Sequence, residues 1–154
     1  MQKIASFEVD HRYINPGVYI SRIDGDITTY DLRTRKPNTG DLMTNEAMHS
    51  TEHLFATLIR NSKIKDQVIY FGPMGCQTGY YLLVRGADDA QVVEEIKKTL
   101  IAIANYEGEM PGKSEIECGN YINLDVDLAK EDVKRYYEEI KDITVEDLKY
   151  PEGR

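Results

Sequence analysis

Apolar and polar positions follow two different periods along this chain, and each change of period marks the edge of an element. From Val18 to Thr34 the run VYISRIDGDITTYDLRT is rich in β-branched and aromatic residues, broken at Asp24-Gly25. That pair favours a tight hairpin turn, so two strands are expected. After the loop KPNTGDL, Thr44 can cap a helix running to about Asn61. Short apolar runs at 68–71 (VIYF) and 80–84 (YYLLV) flank the glycine-rich turn GPMGCQTG, which reads as strand, loop, strand. Asp88 with Gln91 three residues on resembles a capping box, and Val92, Val93, Ile96, Leu100 and Ile103 form one apolar stripe ending near Tyr106. Residues 107–120 have loop composition, and 127–143 return to helical periodicity with Asp127 as the expected cap. The order β-β-α-β-β-α-loop-α predicts a single α+β domain with helices packed on a mostly antiparallel sheet.

The first long helix carries the chain's most informative segment, HSTEHLF. At about 100° per residue, Ala47, Met48, Thr51, Leu54, Phe55, Leu58 and Ile59 fall on one side. His49 and His53 fall nearly opposite, one turn apart, with Glu52 on the same far side. A solvated polar face is the plain interpretation. The order H-x-x-E-H instead matches the inverted zincin pattern, in which two histidines bind metal and the glutamate moves protons. A metal facing away from the helix's own core needs walls, from loops of this chain or from a second subunit.

Composition narrows the partners. With 19 basic against 27 acidic residues the net charge is −8, which disfavours nucleic acid and anionic membranes. No run of 18 apolar residues occurs and MQKIASFEVDH lacks a signal-peptide core, so a cytoplasmic location is expected. In a reducing compartment the two cysteines are expected as thiols, ligands or catalysts rather than as a disulfide.

A catalytic metal site usually uses three protein ligands, and the soft candidates for the third are His11, Cys76 and Cys118, with a carboxylate as the harder alternative. Spacing alone does not choose among them. Cys76 sits in a turn whose glycines expose backbone amides, a setting suited to a reactive thiol, although a packed thiol there is the simpler expectation. Cys118, in IECGN, has the same simple reading. His11 by itself is expected on the surface, and Arg33, in YDLRTRKPN, as an exposed hairpin charge.

Taken together, SFEVDH (6–11), YDLR (30–33) with Pro37-Asn38, HSTEHLFA (49–56), PMGCQTGYY (73–81) and ECGNY (117–121) resemble, in order, the signature blocks of the S-ribosylhomocysteine lyase (LuxS) family. The resemblance spans about residues 6–140. It implies His49, His53 and Cys118 as ligands of one divalent metal, natively Fe2+ with Zn2+ or Co2+ possible. It implies Glu52 and Cys76 as the acid/base pair, and Ser6, His11, Asp31 and Arg33 as substrate-site residues. A homodimer with two sites at the interface is implied as well, which would supply the second wall. The implied reaction moves a carbonyl along the ribose chain of S-ribosylhomocysteine and then eliminates homocysteine, leaving the precursor of autoinducer-2.

Four positions depart from the family blocks. Thr34 and Arg35 stand where an aromatic residue and a cysteine are usual, Gly72 where a serine is usual, and Leu124 where a histidine is usual. None is a proposed ligand or acid/base residue. Two other classes share H-x-x-E-H: a metallopeptidase, and a non-catalytic metal sensor with a fourth protein ligand closing the site.

Overall fold

The computed structural model describes residues 1–151. The hairpin forms where the sequence places it: β1 (Gly17–Asp24) and β2 (Ile27–Arg33) meet at Gly25, whose φ of 61° is one that glycine adopts without steric cost. Thr44 caps α2 (Asn45–Ile59) by accepting from the Ala47 amide. Next come β3 (Val68–Pro73) and β4 (Gly79–Arg85), then α3 (Asp89–Ala104), which Asp88 caps through the Gln91 amide. The last helix, α4 (Val126–Ile140), is capped by Asp125, not by Asp127. Asp125 has extended backbone and its carboxylate accepts from the amides of Asp127 and Leu128, the donors that a helix start leaves unpaired. Asp127 lies inside the first turn, where a carboxylate still suits the helix dipole. A short helix, α1 (Ala5–Glu8), and 3-10 turns at His11–Tyr13, Tyr121–Asn123 and Val145–Asp147 complete the chain.

All strand pairs are antiparallel, in the order β1-β2-β4-β3. Both edge strands carry a register shift, between Ile20 and Arg22 and between Val68 and Tyr70, the kind of irregularity that blunts an edge. One sheet face presents Val18, Tyr30, Leu32, Phe71, Tyr80, Leu82 and Val84 to α2, α3 and α4. Phe55 of α2 stacks on Phe71 at 4.2 Å, and Phe71 on Tyr80 at 4.9 Å, so one aromatic column ties helix to sheet. Asp31, Arg33 and Tyr81 belong to the opposite, helix-free face, in register across β2 and β4.

Each of the four family departures has a place in the packing. The Thr34 hydroxyl donates to the Thr78 carbonyl at 3.3 Å. Arg35 is buried and its guanidinium pairs with Asp132 of α4, with Asp41 3.4 Å from Nε. Asp41 in turn takes Arg135, whose hydrogen bond holds the Asp41 carboxyl below its ordinary range. Gly72 leaves the space into which the Tyr70 hydroxyl folds, and Leu124 is a core residue.

Removing one partner of a buried pair strands the other charge. Asp132→Ala should therefore cost about 3–5 kcal/mol in chemical denaturation, and Arg35→Met combined with Asp132→Leu should recover most of it. A loss under about 1 kcal/mol for the single change would show that Arg35 finds solvent instead.

Candidate functional site

Two imidazoles project from α2 one turn apart, with ring centroids 4.7 Å from each other. They do not lie on a solvated face: both are half-buried, because the loop between α3 and α4 folds back over them. His53 Nδ1 donates to the Pro111 carbonyl at 2.9 Å and His49 Nδ1 to Asn123 Oδ1 at 2.6 Å. With each Nδ1 engaged, Nε2 is the nitrogen of each ring that can meet a metal. The same loop brings the Cys118 sulfur to 3.4 Å from His49 Nε2. One donor atom from each of His49, His53 and Cys118 lies within 4.8 Å of the others. Of the three candidates for the third ligand, the fold thus places Cys118 with the histidine pair. Two imidazoles and a thiol fit a borderline divalent ion, and the Nδ1 partners fix ring orientation as metal-site imidazoles require.

The other residues of the segment divide between packing and the site. Ser50 accepts from the Asp125 amide at 2.8 Å, joining α2 to the start of α4. Thr51, Leu54 and Phe55 are core. Glu52 is half-buried between the core stripe and the histidines, and among the described residues its carboxylate takes no side-chain hydrogen bond. Gly112, with φ of +73°, lies so close to His53 that a β-carbon there would stand 2.9 Å from Nδ1.

A second group lies on the helix-free face of the sheet. Arg33 is not an exposed hairpin charge but is buried, gripped by Asp31 through Nε at 3.1 Å and Nη2 at 2.6 Å. Burial alone would weaken the guanidinium's hold on its proton, but the charge and hydrogen bonds of Asp31 outweigh it and raise the pKa. The remaining fork of Arg33 donates from Nη1 to Thr78 Oγ1 at 2.9 Å, and Thr78 Oγ1 is 3.0 Å from Cys76 Sγ. Cys76 is exposed. Its turn is held open by Gln77, a non-glycine residue at φ of 62° whose side chain donates to the Met43 carbonyl.

Ser6 lies beside the Tyr81 hydroxyl, close to this group. His11 is half-buried and its Nδ1 donates to the Val9 carbonyl at 2.9 Å. The Asp31–Arg33–Thr78–Cys76 group and the His49–His53–Cys118 group share no hydrogen bond or ion pair among the described residues. Sequence reasoning missed Asn123, Pro111, Gly112 and Thr78. Only Thr78 had a visible signal, as a hydroxyl two residues from Cys76 within the glycine-rich turn.

An antiparallel sheet backed by three helices carries three metal-capable donors on and beside α2, a number that suits an open enzyme site better than a four-donor structural one. The family model for S-ribosylhomocysteinase (LuxS) matches residues 4–147. The chain belongs to that family, whose curated relatives are carbon-sulfur lyases. An S-ribosylhomocysteine lyase of Finegoldia magna is 45% identical over 99% of this chain and 100% of its own length. One from Desulfotalea psychrophila is 43% identical over 98% of this chain and 99% of its own. A third, from Borreliella burgdorferi, is 40% identical over 98% and 100%.

Loss of an orienting partner weakens a metal site about 10–100-fold. Asn123→Ala and Gly112→Ala should each raise the dissociation constant for Zn2+ by that order in competition with a chelating dye. Unchanged affinity in both would mean that neither Asn123 nor the loop at Gly112 orients an imidazole.

Proposed function

We propose that this chain is an S-ribosylhomocysteine lyase, converting S-ribosyl-L-homocysteine to L-homocysteine and 4,5-dihydroxy-2,3-pentanedione, the autoinducer-2 precursor. What carries the reading is the convergence of His49, His53 and Cys118, with Glu52 between the two histidines on α2, in a chain whose family model bears that substrate's name. His49, His53 and Cys118 would hold one divalent ion, Fe2+ natively, with Zn2+ or Co2+ as substitutes. Bound there, the ion would supply Lewis acidity to the oxygens of the opened sugar.

The chain's own groups handle the protons. Cys76 Sγ removes a proton from carbon as the carbonyl migrates, and Glu52 delivers and collects protons at its carboxylate oxygens. In the last step Glu52 takes the proton next to the carbonyl, the carbon–sulfur bond breaks, and the electron pair leaves on homocysteine sulfur. Arg33 sets a permanent positive charge near Cys76 and holds its sulfur through the Thr78 hydroxyl. Asp31 fixes that guanidinium, while Ser6 and His11 line the substrate site. The three-donor set favours this reading over a closed sensor site, and the relatives' names favour it over a peptidase.

The working unit is a homodimer. Ile116 and Ile122, on either side of Cys118, are 96% and 77% exposed, and Phe7 beside Ser6 is 67% exposed. Apolar side chains bared around a site that must exclude water suit cover by a second copy. Two free thiols and the absence, among described residues, of a helix able to cross a membrane suit the cytoplasm.

Ferrous-loaded protein incubated anaerobically with S-ribosylhomocysteine should release homocysteine, read with a thiol reagent, and Cys76→Ala and Glu52→Gln should each slow release by about 10²–10⁴-fold. No release by folded, loaded wild type would sink the lyase reading. Ile116→Glu with Ile122→Glu should shift the light-scattering mass from dimer to monomer. A wild type that is already monomeric at micromolar concentration would overturn the dimer.

A further inference from the structure

After α4 the chain does not trail away but turns back along the edge strand β1. Thr144 and Asp147 cap each other, Leu148 is buried, and its carbonyl accepts from the Ile20 amide at 2.7 Å on the edge strand β1. This delivers Tyr150 to the helix-free face. Its ring stacks on Tyr19 with centroids 4.9 Å apart, and its hydroxyl donates to Asp31 Oδ2 at 2.7 Å. Tyr19 is the direct cross-strand neighbour of Asp31, so stack and hydrogen bond converge on one carboxylate.

We propose that Tyr150 is a positioning residue for the thiol of Cys76, acting through Asp31, Arg33 and Thr78. The inference rests on the lyase reading for its catalytic consequence but not for its geometry. Asp31 is fully buried and carries three hydrogen bonds, two from Arg33 and one from Tyr150. A bidentate carboxylate–guanidinium pair is planar, so a turn of the carboxylate turns the fork with it. Arg33 has one further donor engaged, Nη1 on Thr78 Oγ1, and that oxygen is the hydrogen-bond partner of Cys76 Sγ. Five side chains therefore form one continuous line from the C-terminal segment to the sulfur. Burial and the neighbouring Asp31 charge raise the Tyr150 phenol's pKa far above its ordinary value, so it stays protonated and can act only as the donor in this bond. Tyr150 is remote from Cys76 in sequence and touches it only through this relay.

Tyr150→Phe keeps the ring on Tyr19 and deletes only the hydroxyl. The test measures, in metal-loaded full-length protein, the rate of Cys76 alkylation by iodoacetamide, resolved by peptide mass spectrometry, beside kcat and KM for homocysteine release and the thermal midpoint. Loss of one orienting hydrogen bond should slow alkylation and lower kcat by about three- to tenfold, with KM changed less than about twofold. Acting through Asp31 further requires that Tyr150→Phe have no added effect on alkylation in an Asp31→Asn background. Wild-type alkylation and kcat in Tyr150→Phe, a lowered thermal midpoint alone, or additive effects in the double variant would overturn the proposal. If wild type releases no homocysteine, the lyase reading fails, and the alkylation arms still decide the positioning role.

Discussion

The phase of α2 is the constraint from which the rest follows. A helix turning about 100° per residue cannot present the same residue to core and site, so Leu54, Phe55 and Ile59 are given to the interior and His49 and His53 to the outside. Because Phe55 is locked in a column with Phe71 and Tyr80, rotation of the helix is opposed by three rings at once. The histidines inherit that rigidity. Their remaining freedom, ring rotation, is removed by Pro111 and Asn123, and Ser50 pins the chain that leads from Asn123 into α4.

Charge buried in the sheet layer is the second theme. Two arginines two positions apart, Arg33 and Arg35, are both buried in protein rather than solvated, at the end of β2. Each is tolerable only because a carboxylate meets it: Asp31 for Arg33 and Asp132 for Arg35. The two pairs do different work. Arg35–Asp132 fastens the end of β2 to α4, whereas Asp31–Arg33 extends by way of Thr78 to the exposed sulfur of Cys76. The family departures at Thr34 and Arg35 thus belong to the first pair's packing and leave the second line of contacts whole.

Membership of the S-ribosylhomocysteinase family accords with this division. The relatives align over nearly the whole chain, so the comparison covers both the histidine helix and the thiol turn rather than a borrowed motif. Within one chain those two groups stay on separate layers, and the apolar residues bared around Cys118 mark where further cover belongs.

What the sequence determined by itself was local. Strand and helix periods, the Asp24-Gly25 turn, the Thr44 and Asp88 caps and the H-x-x-E-H face all depend on residues within a turn or two of one another, and each appears in the fold. Even the misplaced cap on α4 erred by two residues, because Asp125 and Asp127 are equally good acceptors and only the backbone at Asp125 decides between them. The choice of Cys118 over His11 and Cys76 as neighbour to the histidines needed the long loop's path. His53 meets Pro111 across 58 positions, His49 meets Asn123 across 74, and Tyr150 meets Asp31 across 119. No periodicity encodes such pairings, since they arise where the packed layers bring distant segments together. The burial of Arg33 is of the same kind: its charge argued for solvent, and only the tertiary structure supplied the carboxylate, the hydroxyl and the overlying strand of chain that let it stay inside.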